Sequence, residues 1–279
     1  MERKEKKMNR SKFSLVWLLL AVVALVAVPA GAQAAKKTIT ISGSTSVAPL
    51  ATLWAQKYVK TKAGKNVKFK ILQGGSDVGI SDVSRGRVSV GLSSRDPKPS
   101  DPGGIVFNRI AKDAICLVTN SANAVPSFDQ ALVQNIFSGA VRSWDQVPGA
   151  KEKGTIDLFV RTPASGTQDA FDKIFMSPEK VFSGASQKAS NGLIQQSVKG
   201  DKAGIGYVSL AFTDGLTVGS YKGVPCTLRN AKSGQYGGVR SFYMVTRGAA
   251  TGATKKWINW TRNNKAALKI AASEWVPFK

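Results

Sequence analysis

The chain has 279 residues, with 40 Lys plus Arg against 17 Asp plus Glu, a formal net charge of +23 at pH 7, two cysteines and no histidine. The lack of histidine removes the commonest general base and metal ligand, and with it His-based nucleophilic triads. The positive field draws anions, nucleic acid or an anionic membrane without choosing among them, and no basic cluster is interleaved with aromatics as a base-stacking platform would be.

Met1–Ser14 is a basic segment, Leu15–Val28 an apolar run shorter than a full membrane span, and Ala32-Gln33-Ala34 a small-residue cleavage pattern. The sequence therefore predicts a signal peptide over 1–34 and export, with an uncleaved anchor as the alternative. No cysteine near the cleavage point could carry a lipid, which favours a soluble periplasmic protein. Removing six basic and two acidic residues leaves 34 against 15, a net charge of +19. The remaining stretch of about 245 residues suffices for one large domain or two ordinary ones. Cys116 and Cys226 would meet an oxidising compartment and could form one disulfide. Because neither lies in a recognisable motif, two buried thiols are the favoured expectation, and no metal site is expected.

Thr38–Ser42 is a β-branched strand running into Gly43-Ser44-Thr45-Ser46. A helix follows with Val47, Leu50, Trp54 and Tyr58 on one face, Pro49 in its first turn and Gly64 as its stop. Val67, Phe69 and Ile71 alternate with lysines in a second strand, after which Gly74-Gly75-Ser76-Asp77 opens a weakly patterned helix. Val88–Leu92 is a further strand, ending in Ser93-Ser94-Arg95-Asp96. Two strands are expected at Ile105–Arg109 and Ala114–Val118. Ser127-Phe-Asp-Gln130 reads as a capping box before a helix carrying Leu132, Val133, Ile136 and Phe137, closed by Gly139. Trp144 reads as a packing anchor.

Ile156–Val160 is the next strand, followed by Arg161-Thr-Pro-Ala-Ser165-Gly166-Thr167 and a helix with Ala170, Phe171, Ile174 and Phe175 at helical spacing. Hydroxyls, a glycine, a helix start and a forked cation suit a tetrahedral oxyanion, although Ser-Gly-Thr is also common capping chemistry. Residues 178–192 read as a polar loop before a helix at Leu193–Val198. Ala203–Leu210 and Val239–Val245 read as strands, and Ala253–Ala272 as one final helix. Alternating strands and helices imply an α/β protein with mainly parallel sheets, in which ligands sit beyond the strands' carboxyl ends. All four hydroxyl-rich turns fall there.

In that ordered set the sequence resembles the extracytoplasmic phosphate-binding protein of ABC-type phosphate-uptake systems, in its shorter-chain branch. Ile41-Ser-Gly-Ser-Thr-Ser-Val-Ala-Pro-Leu50 is similar to the family's first binding turn, Gly74-Gly75-Ser76 to the second, and Gly91-Leu-Ser-Ser94-Arg95 to the third. Arg161 with Ser165-Gly166-Thr167 is similar to the fourth, and Ile136–Gly139 with Trp144 and Ile205–Val208 to further signatures. The resemblance implies a periplasmic-binding-protein fold: an α/β architecture of two lobes joined by crossover strands, lobe 1 being 35–115 and 210–279 and lobe 2 being 116–209. It implies a ligand set of Thr45, Ser46, Ser76, Ser94, Arg95, Arg161, Ser165, Gly166 and Thr167. Thr45, Ser76, Ser165 and Thr167 would donate hydroxyls, Ser46 and Gly166 backbone N–H groups, and Arg161 with Arg95 would balance charge. The partners implied are inorganic phosphate and a membrane ABC permease. A monomer that delivers its ligand unchanged is expected, with no cofactor, no nucleic acid and no enzyme activity.

Ser94 departs from the pattern, since many longer members carry an Asp there that accepts the proton still on phosphate. Asp77 is the first candidate to supply that acceptor, against the alternative that it faces solvent at a helix start. The same fold could serve sulfate, molybdate, tungstate or a phosphonate. A secreted phosphatase would need an activated nucleophile or clustered carboxylates. A polyanion binder would rest on the charge of +19 alone.

Overall fold

The structure, a computed structural model, describes residues 36–278, so the expected leader lies outside the described residues. Strand β1 (Lys37–Gly43) lies between the parallel strands β2 (Val67–Ile71) and β3 (Val90–Ser93). Helix α1 (Ala48–Tyr58) carries Pro49 in its first turn and buries Leu50, Trp54 and Tyr58 along the expected apolar stripe. It ends at Tyr58, six residues before the predicted stop. Gly64 instead lies against the Tyr58 carbonyl, where a side chain would collide. Helix α2 (Ser76–Ser84) follows Gly75, whose φ of 101° lies in the range that favours glycine.

Strand β4 (Ile105–Thr119) is one continuous 15-residue strand where two were expected. Asp113 does not interrupt it, because its carboxylate is paired across the sheet with Arg240. Beyond it come β5 (Ser127–Phe128), α3 (Gln130–Ser138), β6 (Asp157–Arg161), α4 (Gly166–Phe171), β7 (Ser186–Lys188), α5 (Asn191–Gly200) and β8 (Gly204–Ser209). Asp129, not Ser127, caps α3 by accepting from the Leu132 amide, since Ser127 is spent on a strand. Gly139 closes that helix in the left-handed region, as its position suggested. The chain continues through β9 (Thr217–Val218), β10 (Ser220–Tyr221), α6 (Leu228–Ser233), β11 (Val239–Arg247), α7 (Gly252–Asn263), α8 (Lys265–Glu274) and β12 (Val276–Pro277). The expected single final helix is broken at Asn264, whose side chain caps α8 through the Ala266 amide.

The main strands run in the order β2-β1-β3-β11-β4-β8-β6-β7. Strand β4 belongs to both ends of this path: residues 105–114 pair with β11, and 115–119 pair with β8. Two cores result. One packs Trp54, Tyr58, Trp257 and Trp275 behind β1, β3, β4 and β11. The other packs Phe137, Trp144, Phe171, Phe175 and Tyr207 around β6 and β8. Each fully buried side chain of this kind contributes roughly 1.5–3 kcal/mol over exposure.

Residues 210–239 were expected with the first lobe, yet Leu216, Val218, Tyr221, Cys226, Ala231 and Tyr236 pack in the second core. Apart from Ala211, the chain rejoins the first core at β11. Cys116 and Cys226 account for this: they form a disulfide, with Cα atoms 5.6 Å apart, instead of the two thiols expected. The bond ties the return segment to β4 inside the second core. Among the described residues no helix is long and apolar enough to cross a membrane, and no cluster of His, Cys, Asp or Glu is arranged to hold a metal.

Candidate anion site

The turns after β1, β3 and β6 meet the starts of α1, α2, α4 and α5 at one place, beyond the carboxyl ends of parallel strands. In the first half, the Ser44 hydroxyl donates to Ser94 Oγ at 2.8 Å, and Ser94 Oγ lies 3.3 Å from Ser76 Oγ. Ser76 Oγ also accepts from the Ser94 amide at 3.0 Å. Whichever of Ser76 and Ser94 donates to the other, one hydroxyl hydrogen of the pair is left over. Thr45 Oγ1 accepts from the Asn191 side-chain amide at 2.9 Å, which leaves the Thr45 hydrogen free as well.

In the second half, Ser165 caps α4 by accepting from the amides of Thr167 and Gln168, so the Ser165 hydrogen is also uncommitted. The Thr167 amide is thereby consumed. Ser46 Oγ accepts from Asn191 Nδ2 at 2.8 Å and from Arg240 Nη2 at 2.9 Å. With both lone pairs filled, Ser46 must donate across to Thr167 Oγ1, 3.0 Å away, and the Thr167 hydrogen is left for another acceptor. Gly166 packs so closely on this array that an added Cβ would collide with Ser76 Oγ and stand 2.9 Å from the Arg95 amide.

Arg161 is 2% exposed. Its Nε and Nη2 donate to the carbonyls of Lys188 and Ala189, and Nη1 lies 3.5 Å from Thr167 Oγ1. Among the described residues no carboxylate pairs with it. Burial, opposed by Tyr207 and reinforced by the nearby Arg240 guanidinium, draws its pKa down to about 10. A buried guanidinium with no carboxylate beside it is one whose charged form an anion would stabilise.

Thr45, Ser46, Ser76, Ser94, Arg161, Ser165, Gly166 and Thr167 are thus brought together. The Arg95 side chain is not. It is buried, but its Nε donates to Asp77 at 2.7 Å, and its Nη atoms form a fork on Asp101 at 3.0 and 2.5 Å. Burial acts to lower its pKa, but the bonds to Asp101 and Asp77 prevail and raise it. Its guanidinium is therefore committed to Asp77 and Asp101, against the expected charge-balancing role, and braces the loop at Asp101. The same contact engages Asp77 Oδ1, and the Asp77 side chain is 42% exposed, which agrees with the solvent-facing alternative. Next to this brace, Lys98 pairs with Asp169 of α4 and joins the two halves.

Residues 28–265 match the profile of the PBP superfamily domain. The chain belongs to that superfamily. Within it, the chain is 24% identical to the phosphate-binding protein PstS of Bacillus subtilis (strain 168), an alignment covering 97% of this chain and 95% of the relative. A crystal structure from Clostridium perfringens, of a protein described as a phosphate ABC transporter substrate-binding protein with bound phosphate, superposes with a TM-score of 0.81. It is 28% identical, and the match covers 87% of this chain and all of that one. An ABC-type phosphate transport receptor from Vibrio cholerae, 24% identical, superposes with a TM-score of 0.70 over 86% of this chain and all of that one. The architecture is the periplasmic-binding-protein fold.

Three residues of this superfamily member escaped the sequence reading. Asn191 opens α5 and bridges Thr45 and Ser46 while its Oδ1 accepts from the Ser209 amide. Ser190-Asn191-Gly192, a capping signature that the polar-loop assignment absorbed, could have revealed it. Asp113 and Arg240 form a buried ion pair with Nη2 at 2.9 Å from Oδ2. Burial raises the carboxyl against the pull of Arg240, and it lowers the guanidinium against the pull of Asp113.

Proposed function

We propose that this chain is the extracytoplasmic phosphate-binding component of an ABC-type importer. It binds one phosphate between its two halves, closes by a hinge motion and passes the ion unchanged to a membrane permease. The observation that carries this reading is Arg161, a buried guanidinium with no carboxylate partner among the described residues, set beside uncommitted hydroxyl hydrogens on Thr45, Ser165 and Thr167. The relatives named for phosphate binding support the same ligand. The ligand set is Thr45, Ser76, Ser94, Arg161, Ser165, Gly166 and Thr167, with Ser46 held in place by Ser44 and Thr167 instead of serving the ligand as first expected. Export through the basic and apolar leader, and action as a monomer, complete the proposal. A second reading, another tetrahedral oxyanion such as sulfate, is favoured by one feature: Ser94 offers a hydroxyl already engaged by Ser44 in place of a carboxylate.

Isothermal titration of the pure protein with phosphate tests the proposal, and one site per chain is expected. Arg161→Ala should weaken binding by about 30-fold to several thousand-fold, since a buried anion then loses its charge-assisted partner. Arg161→Lys should recover part of the loss, because it restores charge but not the fork. Absence of phosphate binding, or parental affinity in Arg161→Ala, would overturn the assignment.

A further inference from the structure

Arg240 is separated from the four hydroxyl-rich turns in sequence but not in space. Its Nε and Nη2 both donate to Asp113 Oδ2, at 3.2 and 2.9 Å, which fixes one edge of the guanidinium plane on that carboxylate. Nη2 carries two hydrogens, and its second goes to Ser46 Oγ at 2.9 Å. In a planar guanidinium that second hydrogen lies on the edge shared with Nη1. The Nη1–Nη2 edge therefore faces Ser46, the residue that also bonds Asn191 and Thr167. Nη1 is buried and has no hydrogen-bond partner among the described residues. A buried N–H donor of a charged group left unpaired is costly, so a native fold retains one where something else completes it.

We propose that Arg240 is the second guanidinium of the anion site, offering Nη1 to the ligand beside Arg161, and that Asp113 is its positioning residue. The proposal rests on the phosphate reading given above. The two guanidiniums are close enough to repel, and an anion between them offsets that repulsion. The register adds a reason for the pairing. Arg240 and Asp113 are direct neighbours on β11 and β4, the two strands that run from one core to the other. Asp113 therefore holds the guanidinium where these strands pass between the cores, which fixes the aim of Nη1.

The test compares the parent with Arg240→Gln/Asp113→Asn, which replaces the ion pair by two amides of similar shape, and with Arg240→Lys. Each is titrated with inorganic phosphate, and thermal melting is followed with and without the ion. The double variant should stay folded, lose about 30-fold or more in phosphate affinity and lose most of the phosphate-induced rise in melting temperature. Arg240→Lys should fall between the two. If the double variant binds phosphate within about threefold of the parent, Arg240 serves only Asp113 and the proposal fails. Should the double variant not fold, Arg240→Lys decides, parental affinity there overturning the use of Nη1. A parent that does not bind phosphate refutes the functional reading itself, a result distinct from either of these.

Discussion

The hydroxyl of Ser44 donates to Ser94 Oγ at 2.8 Å, and this bond limits what Ser94 can offer a ligand. One lone pair of Ser94 is filled from Ser44, and its remaining capacity is shared with Ser76. Thr45, Ser46, Ser165 and Thr167 likewise accept from internal donors, so the spare capacity of the array lies in hydrogens. Such a site distinguishes poorly between phosphate and sulfate, which present similar acceptor oxygens. Sulfate is expected to compete within about tenfold of phosphate, and Ser94→Asp should widen the gap by restoring a charged acceptor. Competition titrations check both. Rejection of sulfate by the parent would locate an acceptor that this array lacks.

Asp77→Asn gives a companion measurement. Because the Asp77 carboxylate faces Arg95, the phosphate-to-sulfate ratio should stay that of the parent. A narrowed ratio would return the acceptor role to Asp77.

Gly166 should tolerate no enlargement. Gly166→Ala places a methyl group against Ser76 Oγ and the Arg95 amide, contacts made between the two halves. The clash arises only where the halves meet, so each core should keep its packing. Phosphate affinity should drop about tenfold or more, the loss expected when an overpacked contact costs roughly 1–3 kcal/mol. Small-angle scattering should show a larger radius of gyration in the presence of phosphate than the parent has.

Arg161 should cost stability when no anion is bound. Its folded pKa, drawn down to about 10 by burial, lies below the ordinary arginine value, so the charged form is the one the fold penalises. That penalty is fully present at neutral pH, where the group is protonated folded and unfolded alike. Arg161→Met should therefore melt at or above the parent temperature in phosphate-free buffer and show no phosphate-induced rise. A marked loss of ligand-free stability would give Arg161 a mainly structural role through the Lys188 and Ala189 carbonyls.

Reduction or Cys116→Ala/Cys226→Ala substitution should destabilise the protein. The sequence separation is 110, for which the chain-entropy account allows up to about 4–5 kcal/mol. Denaturant unfolding measures the loss, and an unchanged midpoint would show that packing alone holds the return segment.

What could be read from the sequence follows the range of the interactions involved. The strand, turn and helix-start grouping around Thr45, Ser76, Ser94 and Ser165 is local, and periodicity with turn chemistry exposed it. Arg240 and Asp113 were invisible for the opposite reason. A charge inside a strand ordinarily marks a solvent-facing position, and their pairing depends on a register set between residues 127 apart in sequence. Arg95 was misassigned because a guanidinium at a strand's carboxyl end suits an anion equally whether that anion is a ligand or Asp101. The disulfide ranked behind two free thiols for a similar reason, since no local motif encodes a bond between β4 and the segment before α6.

The place of β11 between β3 and β4 has a consequence for how the chain is made. The first core is seeded by residues 37–111, yet its central strand and its Trp257 and Trp275 packing come from the carboxyl-terminal end. A nascent chain can form local helices early, but it cannot complete this sheet until residues 239–247 have been synthesised. Assembly that waits on such distant partners is slow. The second core, whose buried residues span 114–236, can close before β11 exists, so the amino-terminal core is the last part of the molecule to be finished.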